Sequence, residues 1–192
     1  MAERRYQCIL ADPPWGSESG GGRRGAQNHY PLLSVEDIAE VMLASPEWRP
    51  AESCHLWLWA PSQIHLAFRL LDLLGQGQQG DLFGGPAVPA KRFRQITFVP
   101  WIKLDPTNHT RTRPGLGQYI RHDSELLLLC STGPAMVPEF AYPQQAILTP
   151  KREHSRKPDE QYERIEWISP GPRVEFFARR PRAGWCSWGN EL

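Results

Sequence analysis

Near the start of this 192-residue chain, the apolar run Cys8-Ile9-Leu10-Ala11 stops at Asp12-Pro13-Pro14-Trp15. The run is too short to span a membrane and is closed by strong breakers, so it reads as a buried strand. Each proline fixes its own φ and lacks an N–H, and Pro14 also restrains Pro13. The chain therefore leaves the strand in one stiff shape, carrying a carboxylate and a flat indole. On these residues alone, a chemical site and an ordinary Pro-Pro loop with a partly buried Trp are equal readings.

The length suggests one domain over residues 1–192, large enough to bury a real core. The net charge of +1 excludes a global basic field. Charge is nevertheless patterned. Between Lys91 and Arg121 stand seven Lys or Arg and one acid, Asp105, whereas Glu36 to Glu52 holds five acids and one Arg. A local basic surface is thus compatible with a neutral total. Cys8, Cys54, Cys130 and Cys186 lie far apart and form no C-x-x-C pair, so buried reduced thiols are expected and no metal site. With no signal-peptide pattern and Leu126 to Leu129 as the longest aliphatic run, the chain is expected to be cytoplasmic, with no membrane partner.

Apolar periodicity places the remaining elements. Ser34 caps a helix whose stripe is Val35, Ile38, Ala39, Met42 and Leu43. Cys54 to Ala60 is a second strand. Pro61 then starts a helix through Ile64, Ala67, Phe68, Leu71 and Leu74, stopped by Gly75. Further strands are expected over Phe93 to Trp101, Asp123 to Ser131, Gln145 to Thr149, Arg173 to Ala178 and Gly184 to Gly189. A helix enters at Lys157-Pro158-Asp159-Glu160, with Tyr162, Ile165, Glu166 and Ser169 on one face. Alternating strands and helices at this spacing predict a parallel sheet covered on both faces. Ligands of such sheets sit beyond the carboxyl ends of the strands, which puts Asp12 to Trp15 and the segment after Ala178 on one rim. His55 and His65 lie in apolar elements and read as core residues. The Gly-rich segment Gly16 to Gln27 reads equally as a flap that orders on substrate or as a passive loop.

Taken in order, these segments resemble one family. Its motifs here are Ala11-Asp12-Pro13-Pro14-Trp15, Tyr30 through Ser34, Leu56-Trp57-Leu58-Trp59, Arg113 to Glu125, His154-Ser155-Arg156-Lys157-Pro158-Asp159, and Glu175-Phe176-Phe177-Ala178-Arg179 with Gly184-Trp185 and Trp188-Gly189-Asn190-Glu191. The family is the Asp-Pro-Pro-Trp class of S-adenosylmethionine-dependent adenine methyltransferases, which includes the catalytic subunit of the eukaryotic mRNA adenosine methyltransferase and many bacterial and phage DNA enzymes. The resemblance implies an α/β, Rossmann-like class I methyltransferase fold with a mostly parallel sheet, helices on both faces and a permuted motif order.

It also implies roles. Asp12 and the Pro13 carbonyl would accept hydrogen bonds from the adenine exocyclic amine within the catalytic set Asp12, Pro13, Pro14 and Trp15, with Trp15 stacking on or walling the base. Lys157 would meet the methionine carboxylate, Arg179 lie by the cofactor, Phe177 line its pocket, and Asn190 with Glu191 hold the ribose. Ala178 departs from the glycine many amino-methyltransferases carry there. Tyr30, Arg111, Arg113, Arg121 and His122 are expected on the substrate side, the arginines contacting backbone phosphates. The implied activity is site-specific transfer of a methyl group to adenine N6 in DNA. RNA adenosine methylation and a catalytically silent nucleic-acid-binding relative are the alternatives. The partner is nucleic acid, DNA ahead of RNA, and a homodimer stays open.

Overall fold

The computed structural model describes residues 4–16, 32–77, 90–115, 119–134, 136, 143–151 and 156–189. Among these residues, seven strands, β1 (Tyr6–Ala11), β2 (Pro50–Ala60), β3 (Arg94–Leu104), β4 (Ser124–Thr132), β5 (Ile147–Pro150), β6 (Arg173–Phe176) and β7 (Trp185–Trp188), form one sheet in the order β5-β3-β4-β2-β1-β6-β7. Each pairing is parallel except those of β4, which runs antiparallel to β2 and β3. The mostly parallel expectation holds, with one reversed strand. That reversal puts the start of β4 on the rim where the other six strands end.

Among the described residues, three helices cover the sheet: α1 (Val35–Ala44), α2 (Ile64–Gln76) and α3 (Glu160–Ile168). Two apolar cores follow from strand alternation. Leu56 and Leu58 of β2 face α1 and α2, packing with Ile38, Met42, Leu70 and Leu74. Trp57 and Trp59, offset by one residue, face the other way and pack with Leu10, Trp101 and the α3 residues Tyr162 and Ile165. Period-two side-chain direction thus divides one apolar run between two cores.

α1 starts where its sequence signals put it: the Ser34 hydroxyl accepts from the Asp37 N–H at 3.1 Å, and the Asp37 carboxylate accepts from the Ser34 N–H at 3.3 Å. α2 differs from expectation at both ends. It begins three residues beyond Pro61, and Gly75 lies inside it, the C-cap being Gly77 at φ 69°. Its buried stripe is Leu66, Ala67, Leu70, Leu71 and Leu74, so Ile64 and Phe68 at 39% and 40% exposure lie off the covered face. His65 is exposed as well, not a core residue.

His55 is the satisfied core histidine expected. The Ser169 hydroxyl accepts from Trp57 Nε1 at 2.8 Å and lies 2.8 Å from His55 Nδ1. Both buried rings thus share this one hydroxyl, and burial lowers the His55 pKa. Cys8, Cys54 and Cys130 are buried free thiols and Cys186 is half-buried and free. Among the described residues, no helix is long and apolar enough to cross a membrane.

Two glycines are fixed by close contacts. A Cβ on Gly189 would lie 2.3 Å from the Ala178 carbonyl oxygen, so the strand ends of β6 and β7 meet here without a side chain. Gly133, at φ 64° just past β4, would place a Cβ 2.7 Å from the Glu52 carbonyl oxygen at the opposite rim. Gly133→Ala should therefore cost about 1–3 kcal/mol. Thermal denaturation should show Tm lowered by several degrees with ligand binding at the far rim unchanged. An unchanged Tm would contradict this tight contact.

Candidate active site

The chain runs from β1 through α1 to β2 on one side, while β6 flanks β1 on the other and is reached through α3 on the opposite face. A crevice at such a switch of direction is where open α/β sheets bind ligands. A cleft of about 310 Å³ opens there, on the α3 side. Leu10 and Asp12 reach it from the end of β1 and Trp59 from the end of β2. Arg156, Lys157, Gln161 and Tyr162 come from the entry to α3, and Glu175, Phe177, Arg179 and Arg180 from β6 and the turn after it.

The Asp-Pro-Pro-Trp turn is held at several points. The Pro13 carbonyl accepts from the Trp15 N–H at 2.9 Å, closing a three-residue turn centred on Pro14. The Pro14 carbonyl accepts from the Leu33 N–H at 2.9 Å, and Trp15 Nε1 donates to the Trp59 carbonyl at 3.0 Å. Trp59 in turn donates its Nε1–H to Gln161 Oε1 at 2.7 Å. The turn is thereby tied to the approach to α1, to the end of β2 and, through Trp59, to α3. The Pro13 carbonyl, with one lone pair used by Trp15, keeps a second for another donor.

Lys157 occupies the centre of the charge arrangement. Its ammonium lies 2.9 Å from Asp12 Oδ1 and 3.2 Å from Glu125 Oε2, and 5.1 Å from the centre of the Trp59 ring. Its side chain is 17% exposed. Burial alone would lower the lysine pKa, but Asp12 and Glu125 outweigh it and hold the ammonium above the ordinary range. Burial likewise works against ionisation of Glu125, yet Lys157 and Lys103 bring its pKa down to about 2. Glu175 shows the reverse balance. Burial pushes its carboxyl up to about 7, although the Tyr162 hydroxyl donates to both of its oxygens, at 2.9 and 3.1 Å.

The cleft therefore holds cations (Arg156, Lys157, Arg179 and Arg180) beside two acidic side chains (Asp12 and Glu175), with Leu10, Trp59 and Phe177 as its apolar lining. This pairing of signs fits the amino-acid end of S-adenosylmethionine, which carries a carboxylate and an ammonium. Phe177 takes φ 61°, which turns the chain sharply after β6, and Ala178 donates its N–H to the Trp188 carbonyl at 3.0 Å. The close approach at this turn is made by Gly189 against Ala178, so a methyl at 178 is accommodated. Among the described residues, no group of three or more His, Cys, Asp or Glu is placed to hold a metal ion.

Of the residues expected in the site, the structure brings together Asp12, Lys157, Phe177 and Arg179, with Pro13, Pro14 and Trp15 at the edge. Lys157, expected to face a cofactor carboxylate, lies in the cleft and is also shared between two protein carboxylates. Arg111, Arg113, Arg121 and His122 are exposed on the 105–123 loop, outside the cleft but on its rim. Tyr30, Asn190, Glu191, His154, Ser155 and most of the Gly16 to Gln27 segment lie outside the described residues. Glu125, Glu175, Tyr162, Trp59 and Gln161 were not identified as site residues from sequence.

A family model described as MT-A70 matches residues 89–191. An MT-A70-like protein of Medicago truncatula is 35% identical over 194 residues, covering 98% of this chain and 26% of its own length. Two human proteins align over 98% of the chain. One is the N(6)-adenine-specific methyltransferase METTL4, 25% identical with 38% of its length covered. The other is the N(6)-adenosine-methyltransferase catalytic subunit METTL3, 22% identical with 28% covered. The chain thus spans about a quarter to two-fifths of the length of these relatives.

Glu175 gives a pH test of the cleft. Its folded pKa of about 7 lies above the ordinary 4.5. Below about 4.5 both folded and unfolded forms are protonated and the group costs nothing. Between about 4.5 and 7 only the unfolded form ionises, so stability falls as pH rises, levelling off above 7. Glu175→Gln should therefore gain stability relative to the parent across that window, by on the order of 3 kcal/mol. Urea denaturation at stepped pH reads it; parallel stability curves would contradict a carboxyl whose burial outweighs its hydrogen bonds.

Proposed function

The chain belongs to the MT-A70 family of S-adenosylmethionine-dependent methyltransferases, and on that premise we propose that it methylates the exocyclic N6 amine of adenine in DNA. The observation that carries the reading is the meeting of Asp12 and Lys157, at 2.9 Å, in a cleft at the switch between β1 and β6. One side of the meeting point is an acceptor pair at a stiff turn, and the other is a cation cluster suited to an amino-acid carboxylate.

When bound, S-adenosylmethionine supplies an electrophilic methyl group on a sulfonium. The residues do the rest by position. The adenine amine is a poor nucleophile because its lone pair is delocalised into the ring. Asp12 and the free lone pair of the Pro13 carbonyl, both aimed at its N–H bonds, favour the pyramidal nitrogen reached during attack. Trp15, fixed by its bond to the Trp59 carbonyl, walls the base. Lys157 and Arg179 orient the methionine end, and holding both partners in line provides much of the acceleration. Asp12 acts here as a hydrogen-bond acceptor; the methyl carbon exchanges its bond to sulfur, which is left as a neutral thioether, for a bond to N6, and the proton the methylated amine then sheds passes to water.

DNA is the substrate proposed first, supported by the adenine-specific name of one human relative. RNA is the second reading, supported by the adenosine methyltransferase name of the other. In duplex DNA the target adenine must be flipped out to reach the cleft, whereas a single strand offers it directly.

Transfer of labelled methyl groups to duplex DNA, single-stranded DNA and RNA, followed by digestion to nucleosides, tests the proposal. N6-methyldeoxyadenosine is the expected product; label on another base, or none, overturns it, and label on adenosine alone moves the substrate to RNA. Asp12→Ala should lower transfer about 10²–10³-fold with the fold intact by circular dichroism. Undiminished transfer would remove Asp12 from the mechanism.

A further inference from the structure

The loop over 105–123 leaves β3 and returns into β4 on the rim that carries the cleft. Its stem is well made. The Lys103 N–H donates to the Asp123 carbonyl at 2.8 Å and the Arg113 N–H to the Lys103 carbonyl at 2.7 Å. Leu104 and Thr112 form a bridge, and the Gly115 N–H donates to the His122 carbonyl at 2.7 Å. Arg121 Nε adds a bond to the Gly115 carbonyl at 3.1 Å. At the base, the Asp105 carboxylate accepts from the N–H groups of Thr107 and Asn108 at 2.8 and 3.1 Å.

Beyond this pairing stand Tyr119 and Ile120, 98% and 76% exposed, the two most exposed large hydrophobic side chains among the described residues. A lone exposed hydrophobe needs no explanation. Two adjacent ones held out by a paired stem, beside a candidate active site, do. Their surroundings are cationic: Arg111, Arg113 and Arg121 lie on the same loop, with Asp105 the acid nearest Arg113, at 3.8 Å. An aromatic ring among arginines matches a strand of nucleic acid, whose bases offer flat faces and whose phosphates offer negative charge. The cations make it a poor match for an uncharged apolar partner.

The chain also limits how far the tip lies from the site. Glu125 touches Lys157, which touches Asp12, and only six residues separate Glu125 from Tyr119. Six extended residues span at most about 22 Å, which keeps Tyr119 on the rim that Glu125 occupies. We infer that Tyr119 stacks on a base of the strand that carries the target adenine, with Ile120 packed against that base and the loop arginines on the flanking phosphates. This rests on the nucleic-acid reading above and adds to it a specific contact that holds the strand while its adenine enters the cleft.

Fluorescence anisotropy with labelled 15-nucleotide DNA and RNA oligomers carrying one adenine tests it, using Tyr119→Ala and Tyr119→Phe. Tyr119→Ala should weaken binding roughly five- to hundred-fold, the loss expected for one base–aromatic stack. Tyr119→Phe should stay within about two-fold of the parent. The slope of affinity against salt should be unchanged in both, since no phosphate contact is lost. Tm and calorimetric S-adenosylmethionine binding should also be unchanged, because the side chain is almost fully exposed. If the parent chain methylates adenine while Tyr119→Ala binds the oligomers as tightly, the stacking contact is wrong and the function stands. A parent chain that neither binds nor methylates nucleic acid overturns both. A dimer in gel filtration that Tyr119→Ala turns into monomers would assign the tip to a second copy of this chain and overturn the inference.

Discussion

One ammonium shared by two carboxylates, Lys157 between Asp12 and Glu125, joins three parts of the chain that are far apart in sequence: the end of β1, the start of β4 and the entry to α3. Charges this poorly hydrated are costly to bury and are retained only where geometry compensates. Here the compensation comes from contacts of 2.9 and 3.2 Å, from Lys103 on the other side of Glu125, and from the face of Trp59. The arrangement holds Asp12 in place beside a cleft whose lining also carries Arg156, Arg179 and Arg180. Glu175, a few residues away in space and without a cation so placed, is pushed towards its neutral form at the same rim. Glu125 and Glu175, two carboxyls at one rim, are thus set to different states by their surroundings.

The aromatic residues give this charge arrangement a rigid frame. Trp15, Trp59 and Gln161 form a chain of hydrogen bonds from the Pro-Pro turn to α3, and Trp59 also packs edge-on against Trp101 at 6.2 Å between ring centres. An indole suits this place because it buries a large apolar surface and still offers one N–H. Prolines remove the remaining freedom at the turn. A site built on such elements keeps its acceptors aimed, as stabilisation of a short-lived geometry requires.

Much of the fold was legible in the sequence because apolar runs in β1, β2 and β4 are unbroken and because Ser34 and Asp37 form a complete capping box. The boundaries of α2 were not, since Pro61 and Gly75 are strong local signals that tertiary packing set aside. Asp12, Lys157, Phe177 and Arg179 were found through motif order. Glu125 was missed for a topological reason: nothing in Ser124–Thr132 says that this strand runs opposite to its neighbours, and only that reversal brings its first turn of charge to the cleft. Glu175 was hidden differently, as one letter of a strand whose importance lies in a tyrosine thirteen residues earlier in the chain. Pairings across the sheet, not local pattern, decide both.

The claim on which everything else rests is that the cleft between Asp12 and Phe177 is where the methyl donor lies. A crystal structure of the chain with S-adenosylhomocysteine tests it most directly. The amino-acid end of the ligand should lie against Lys157 and Arg179, with its sulfur turned towards Asp12 and the Pro-Pro turn. A ligand bound elsewhere on the sheet, or lying in the cleft with its sulfur turned away from Asp12, would contradict the account.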